Sequence, residues 1–351
     1  MTEPRLSILG IGLAGGFGLG KQALLQALRD GGKPNGSIPV AAASGQRELP
    51  AYQVDVSPVS RFAAPAALRR MNRFAKLALL GASLALEDAG WNIPLRRDDI
   101  GLVIASGYGA SKSTFDFLDS MIDGEGQFPS PTLFSNSVHS SAASHAGIVM
   151  ELGGPCLTVS QFEMSPVSAL LTVQQWLLEG RVEAVLFGAV DELCPVLAYC
   201  YDRFFGRDAG GPIEPFAWDK QTAVMGEGAA FLLLRRSEEG PTAYGRIDRI
   251  AWRQSRQMAI PPQSSLVLGA DGQVCCAPHY RRLTETSPAR VAYTPLYGSL
   301  PGGQAFDIAI AAIAAEHGWG QNRVCSIKCD AHGNCGVIEC DFDREHPASA
   351  S

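Results

Sequence analysis

Three runs of sequence, residues 100–105, 184–190 and 229–234, are apolar almost without interruption. A strand with one wet face alternates polar and apolar residues, so an unbroken apolar strand must be covered on both faces. Helix patterns lie between and around these runs. One occupies residues 21–29. A longer one begins near Pro65, passes through Leu79, Ala82, Leu84, Leu86 and Ala89, and stops at Gly90. Others span residues 111–122 and the stretch through Leu171, Val173, Trp176 and Leu177. Buried strands alternating with helices restrict the chain to an α/β architecture with mostly covered sheets. Residues 6–9 read as a short first strand ending at Gly10, and residues 38–64, rich in Ala, Ser and Pro, read as loop.

The texture changes after Arg235. Residues 241–278 offer one strand candidate, 244–252, and no strong helix. A second α/β piece follows, with strands at 290–293 and 324–329 around a helix at 305–316. The expected division is 1–242, 243–345 and a polar, disordered tail at 346–351. With 351 residues, 46% of them hydrophobic and 18% charged, a large buried core is feasible. A net charge of -6 argues against a nucleic-acid partner held through phosphates. No apolar run approaches membrane-spanning length, residues 308–315 being the nearest, and Met-Thr-Glu-Pro-Arg does not open a signal peptide. Cytoplasmic residence and reduced thiols are the expectation for the nine cysteines.

Gly10-Ile11-Gly12-Leu13-Ala14-Gly15 has the spacing of a dinucleotide fingerprint. Further glycines follow, the helix starts only near Lys21, and no acidic strand end stands at the expected distance, so a turn without cofactor is the better reading. Cys325, Cys329, His332, Cys335 and Cys340 invite a metal, but the paired Cys-x-x-Cys spacing of structural zinc is missing, and packed thiols suffice. Cys156 reads as a core thiol, and no cysteine has an activating context. Arg69-Arg70-Met71-Asn72-Arg73-Phe74-Ala75-Lys76 reads by itself as a solvated basic face. Glu227 reads as a buried structural carboxylate between Gly226 and Gly228, which allow close backbone approach.

Several of these segments together resemble the β-ketoacyl-acyl-carrier-protein synthases. Arg69 to Lys76 and Leu84 to Gly90 are similar to that family's Arg-Met-Asp-Arg-Phe segment and the helix end beyond it. Residues 215–230 parallel its Pro-Phe-Asp…Gly-Glu-Gly-Ala-Gly stretch, and residues 130–145 resemble divergent short members of polyene-type pathways. Gly153-Gly154-Pro155 and the residues after it resemble the nucleophile region, where a reactive cysteine heads a buried helix. Counting from Gly154-Pro155, that position falls on Glu163. A carboxylate cannot become a thioester, so condensation is expected to be lost.

The resemblance implies a thiolase-like α/β/α/β/α layered fold, with a truncated C-terminal half lacking the closing strands. It implies two catalytic histidines, whose positions map to Tyr297 and, one residue out of register, to His332 with Lys328 before it. It places Ser137, Val138 and His139 near the subunit interface. The function implied is that of a chain-length factor, a partner that forms a heterodimer with an active ketosynthase and works with acyl carrier protein. The alternatives are a malonyl-carrier-protein decarboxylase and a non-catalytic homodimer that binds acyl chains or acts as a scaffold.

Overall fold

Two groups of five strands repeat one another. The computed structural model describes residues 5–42, 45–125, 129–205, 211–237, 242–258, 264–285 and 289–343; the tail at 346–351 lies outside them. The first half runs β1 (Leu6–Gly15), β2 (Gly18–Leu19), α1 (Gly20–Asp30), β3 (Gly36–Ala42), β4 (Gly45–Ala51), α2 (Pro65–Leu68), α3 (Arg73–Asp88) and β5 (Ile100–Ala105). It continues with α4 (Ser111–Asp123), α5 (Pro131–Ser137), α6 (Ser141–Met150), β6 (Cys156–Val159), α7 (Ser165–Leu178), β7 (Ala184–Asp191), α8 (Pro195–Phe205) and β8 (Gly228–Arg236). The second half is β9 (Arg246–Gln254), β10 (Ser265–Leu268), α9 (Ala277–Thr284), β11 (Arg290–Val291), α10 (Thr294–Tyr297), α11 (Gly303–Glu316), β12 (Arg323–Cys329) and β13 (Asn334–Asp341).

The strand path is β11-β10-β12-β13-β9-β1-β8-β7-β5-β6. From its outer strand inward, each half has two parallel pairings followed by two antiparallel ones. Strands β1 and β9 join the two halves, pairing at Leu6↔Ile247 and Ser7↔Arg246, with the Ile8 N–H donating to the Gly245 carbonyl and the Tyr244 N–H to the Ile8 carbonyl. Helices α7 and α11 lie between the two sheet halves, each packing on strands of both. In α11 every residue from Gly303 to Ala314 is buried, as a helix with no wet side must be. Helices α3 and α6 cover the outer face of the first half, and α9 covers the second through Tyr280 and Leu283. These are the five layers of the thiolase-like architecture.

The Gly-rich motif is not a turn. β1 continues through it to Gly15, and α3 lies so close that a methyl group on Gly12 would run into the Gly81 carbonyl. The glycines here let a helix approach a strand. Nor is 38–64 a loop, since β3 and β4 pair as a hairpin there. The long helix begins later than its pattern: Asn72 caps α3 by accepting from the Ala75 N–H at 2.8 Å, and α2 is a separate turn opened by Pro65. In the second half, β10, α9 and β13 were not expected. The closing strands exist as β12 and β13, paired from Arg323↔Asp341 to Cys329↔Cys335. That register brings Cys329 and Cys335 directly opposite, with Cα atoms 4.2 Å apart, and they form a disulfide; the thiols are therefore not all reduced.

Candidate functional site

Glu163 stands where β6 turns into α7. The turn is sharp: Phe162 has a φ of +47°, a region bulky residues seldom occupy. It is held from beneath by Ser165, whose Oγ accepts from the Gln161 N–H at 2.7 Å and donates to the Ser106 carbonyl at 3.0 Å. Glu163 is half-buried. Desolvation pushes its carboxyl pKa up, the Lys328 charge pulls it back, and Asp271 and Asp330 push it up again.

The second half supplies what lies under it. Lys328, on β12, donates to Asp271 Oδ2 at 2.9 Å and to the Gly269 carbonyl at 3.0 Å. Burial works against its charge, but Asp271 and Glu163 hold the ammonium above its ordinary pKa. The same carboxylate oxygen accepts from Ser299 Oγ at 2.8 Å and Gln273 Nε2 at 3.1 Å. Ser299 Oγ in turn meets the Tyr201 hydroxyl at 2.7 Å, and Tyr201 is hydrogen-bonded to Tyr108. Tyr108 and Tyr201 both feel the Glu163 charge. Asp271 and Gln273 lie in the loop beyond β10 and Ser299 in that beyond α10, more than twenty residues on, and only the fold brings the two loops together.

Asp191, at the end of β7, gathers the surrounding loops. One carboxylate oxygen accepts from the Gly107 and Tyr108 N–H groups and the Ser106 hydroxyl, and the other from the Gly302 N–H. Glu227 is structural, as its sequence context indicated: Arg73 bonds both its oxygens, and the N–H groups of Val54 and Leu193 complete the set.

The expected site residues divide. Glu163 and Lys328 come together. Tyr297 is fully buried at the end of α10, where its hydroxyl donates to Asp307 Oδ1 at 2.9 Å and its ring stacks on Phe306. The side chain of that segment that joins the centre is Ser299, two residues on. His332 is exposed on the turn between β12 and β13, its backbone N–H bonded to Asp330 Oδ1 at 2.8 Å. Ser137, Val138 and His139 end α5 and lead into α6, with Val138 42% exposed. Cys156 is not a packed core thiol; it is exposed at the start of β6, the outermost strand. Contrary to the expectation that no cysteine has an activating context, Cys275 is exposed with its sulfur 3.9 Å from that of the buried Cys276, a relation the bare Cys-Cys pair in the sequence does not fix.

Chemically, the centre can bind through hydrogen bonds and hold or release a proton at Glu163. It offers no thiol at that position. One ammonium faces the carboxyls of Glu163, Asp271 and Asp330, so negative charge forming there would be poorly stabilised.

Residues 4–240 match the family profile described as "Beta-ketoacyl synthase, N-terminal domain". A Streptomyces virginiae protein named as a polyketide beta-ketoacyl synthase is 28% identical over 248 residues, covering 67% of this chain and 58% of that protein. The tetracenomycin polyketide synthase ketoacyl synthase alpha subunit of Streptomyces glaucescens is 24% identical over 271 residues, 72% of this chain and 64% of that one. The chain thus spans less than two thirds of these relatives' lengths. Among solved structures, a beta-ketoacyl synthase from Burkholderia phymatum superposes with a TM-score of 0.79 at 16% identity, covering 97% of this chain and 100% of that one. The ishigamide ketosynthase/chain length factor gives 0.73 at 18% identity, with 96% and 99% covered. At such identities the structural likeness speaks for the fold, while the profile covers well over half of the sequence: this chain belongs to the β-ketoacyl synthase family.

Proposed function

We propose that this chain is a non-condensing ketosynthase homologue that serves as the chain-length-factor-like partner of an active β-ketoacyl synthase in a fatty-acid or polyketide-type pathway of the cytoplasm. The observation that carries the reading is Glu163 at the head of α7, a carboxyl where the family resemblance puts the thiol. Acyl transfer by way of a covalent thioester cannot run through it. Acidic neighbours favour this reading over a decarboxylase, because an enolate beside Glu163, Asp271 and Asp330 would meet like charge.

A partner is supported by the edge of the sheet. Strand β6 pairs only with β5 among the described residues, which leaves its outer side open. Leu157 on β6 and Ile148 on the helix α6 that packs on it stand exposed, the latter at 75%, as do Phe134 and Val138 on and after the neighbouring α5. Open strand edges and clustered apolar surface are what subunit interfaces cover. The partner fitting this edge is a cysteine-bearing ketosynthase, with acyl carrier protein serving the pair.

Co-expression with candidate ketosynthases, followed by size-exclusion mass measurement and product assay, tests the proposal. A heterodimer whose product differs in length or yield from that of the ketosynthase alone is the expected result. A stable homodimer that ignores every ketosynthase, or an identical product at an identical rate without this chain, overturns it.

A further inference from the structure

Cys275 and Cys276 lie at the start of α9, outside the Glu163 centre but joined to it. Cys276 is the N-cap of that helix and is buried among Tyr280, Cys329 and Cys335, whereas Cys275, one residue before, is exposed. Their sulfurs are 3.9 Å apart. The Cys275 sulfur also points at Gln273 Oε1, 3.6 Å away, and the amide of that same Gln273 donates to both Asp271 and Ser299. One thiol thus faces solvent, a second waits behind it, and a side-chain bridge runs on to the Lys328–Asp271 pair. A shallow cleft lined by Trp218, Gln273, Val274 and Tyr280 opens beside them.

We propose that Cys275 and Cys276 form a thiol–disulfide exchange site for low-molecular-weight disulfides of the glutathione class, with Cys275 as the attacking and Cys276 as the resolving thiol. The Cys275 thiolate attacks one sulfur of the small disulfide RSSR, forming the Cys275–SR bond and releasing RS⁻. The neighbouring Cys275 thiolate and burial hold the Cys276 pKa well up; once Cys275 carries SR that charge is gone, and the leaving thiolate takes the proton of Cys276. The Cys276 thiolate then attacks Cys275, the sulfurs closing from 3.9 Å to a bonded distance of about 2.05 Å, and a second RS⁻ departs to be protonated by water. Two protein thiols are oxidised and one RSSR is reduced to two RSH.

The environment assists the first step. The Cys276 S–H beside it brings the Cys275 pKa down to about 7, against the opposing effect of burial. The N-terminal end of α9 adds its partial positive charge. Cys156, the other exposed thiol, has its pKa pushed up by desolvation and has no second thiol at hand, so it serves as the internal control.

The experiment treats the full chain with glutathione disulfide near neutral pH and follows each cysteine by peptide mass spectrometry. Expected is reaction at Cys275 roughly tenfold faster than at Cys156, with a rate that rises through pH about 7 and then levels. The wild type should pass on to a Cys275–Cys276 disulfide. Cys276→Ser, and Cys276→Ala as a second variant in case serine disturbs packing, should instead accumulate the mixed disulfide at Cys275. Equal rates at Cys275 and Cys156, or a mixed disulfide no longer-lived in either Cys276 variant than in the wild type, would overturn the proposal. None of these readouts depends on acyl chemistry or on a partner subunit.

Discussion

Lys328 Nζ and Asp271 Oδ2 lie 2.9 Å apart, each side chain only 3% exposed, in the floor beneath Glu163. Neither charge could be left alone there. Removing one partner of a buried pair costs about 3–5 kcal/mol, because the other is then stranded away from water. Lys328→Met should therefore lower stability by an amount in that range, read by urea denaturation. Lys328→Met combined with Asp271→Leu should recover much of the loss. A single variant as stable as the wild type would mean that solvent reaches Asp271.

Only part of this centre could be read in the sequence. The strands β5 and β7 announced themselves as unbroken apolar runs, and α11 as a long apolar helix. Strand β10 has only four residues, and β13 interrupts its apolar residues with Gly336 and Glu339, too short or too mixed to register. Glu163 was found because its segment retains the family's spacing. Asp271, Gln273 and Ser299 sit in loops with no periodic signal, and their convergence depends on β10 and α10 meeting in three dimensions. The family motif points to Lys328 and His332 together, and only the lysine reaches the centre, because side chains alternate along β12 and the turn carries His332 outward.

Stability should depend on pH in a direction opposite to that of most acidic proteins. Burial raises the Glu192 carboxyl to about 7, and likewise Asp307. In the unfolded chain both release their protons near pH 4 to 4.5. Between those limits the native state holds protons that the unfolded state has lost. Their contribution is complete below the unfolded pKa and is lost as pH rises through about 7, at up to ~1.4 kcal/mol per pH unit per group. Thermal melting should fall over that interval, and Glu192→Gln with Asp307→Asn should flatten it. A slope unchanged in the double variant would assign the effect to other groups.

Tyr297→Phe offers a finer check. The tyrosine hydroxyl opposes the rise in the Asp307 pKa by donating to its carboxylate, so its removal should move the upper end of that pH transition higher. The lost hydrogen bond should cost about 1 kcal/mol. An upper limit that stays in place would show that the hydroxyl does not donate to Asp307.

Glu163→Cys should not bring back condensation. A thiol there would find Lys328 and Asp271 near it but, among the described residues, no imidazole to take a proton or hold an oxyanion. Chain extension by this single variant, measured with acyl and malonyl carrier proteins, would show that proton transfer has another route.

Val138→Asp addresses the partner face. If β6 and the end of α5 are covered in the complex, a carboxylate at 138 would be buried without a counter-charge, and the heterodimer should weaken by at least ~2 kcal/mol. The variant chain itself should melt like the wild type, because Val138 is exposed in the single subunit. Undiminished co-purification would move the interface elsewhere.

The doubled strand order of the two halves has a consequence for how the protein can be cut. Helix α7, which carries Glu163 at its head, belongs to the first half by sequence but rests part of its apolar surface on β9 and β13 of the second. A fragment ending near residue 240 would retain the whole recognisable family signature, yet it would leave that side of α7 wet and be without the lysine that faces Glu163. The halves are thus separable on paper but, by this packing, should not be separable in solution. The chain should unfold in one cooperative step, and the fragment should be compact at best, never native.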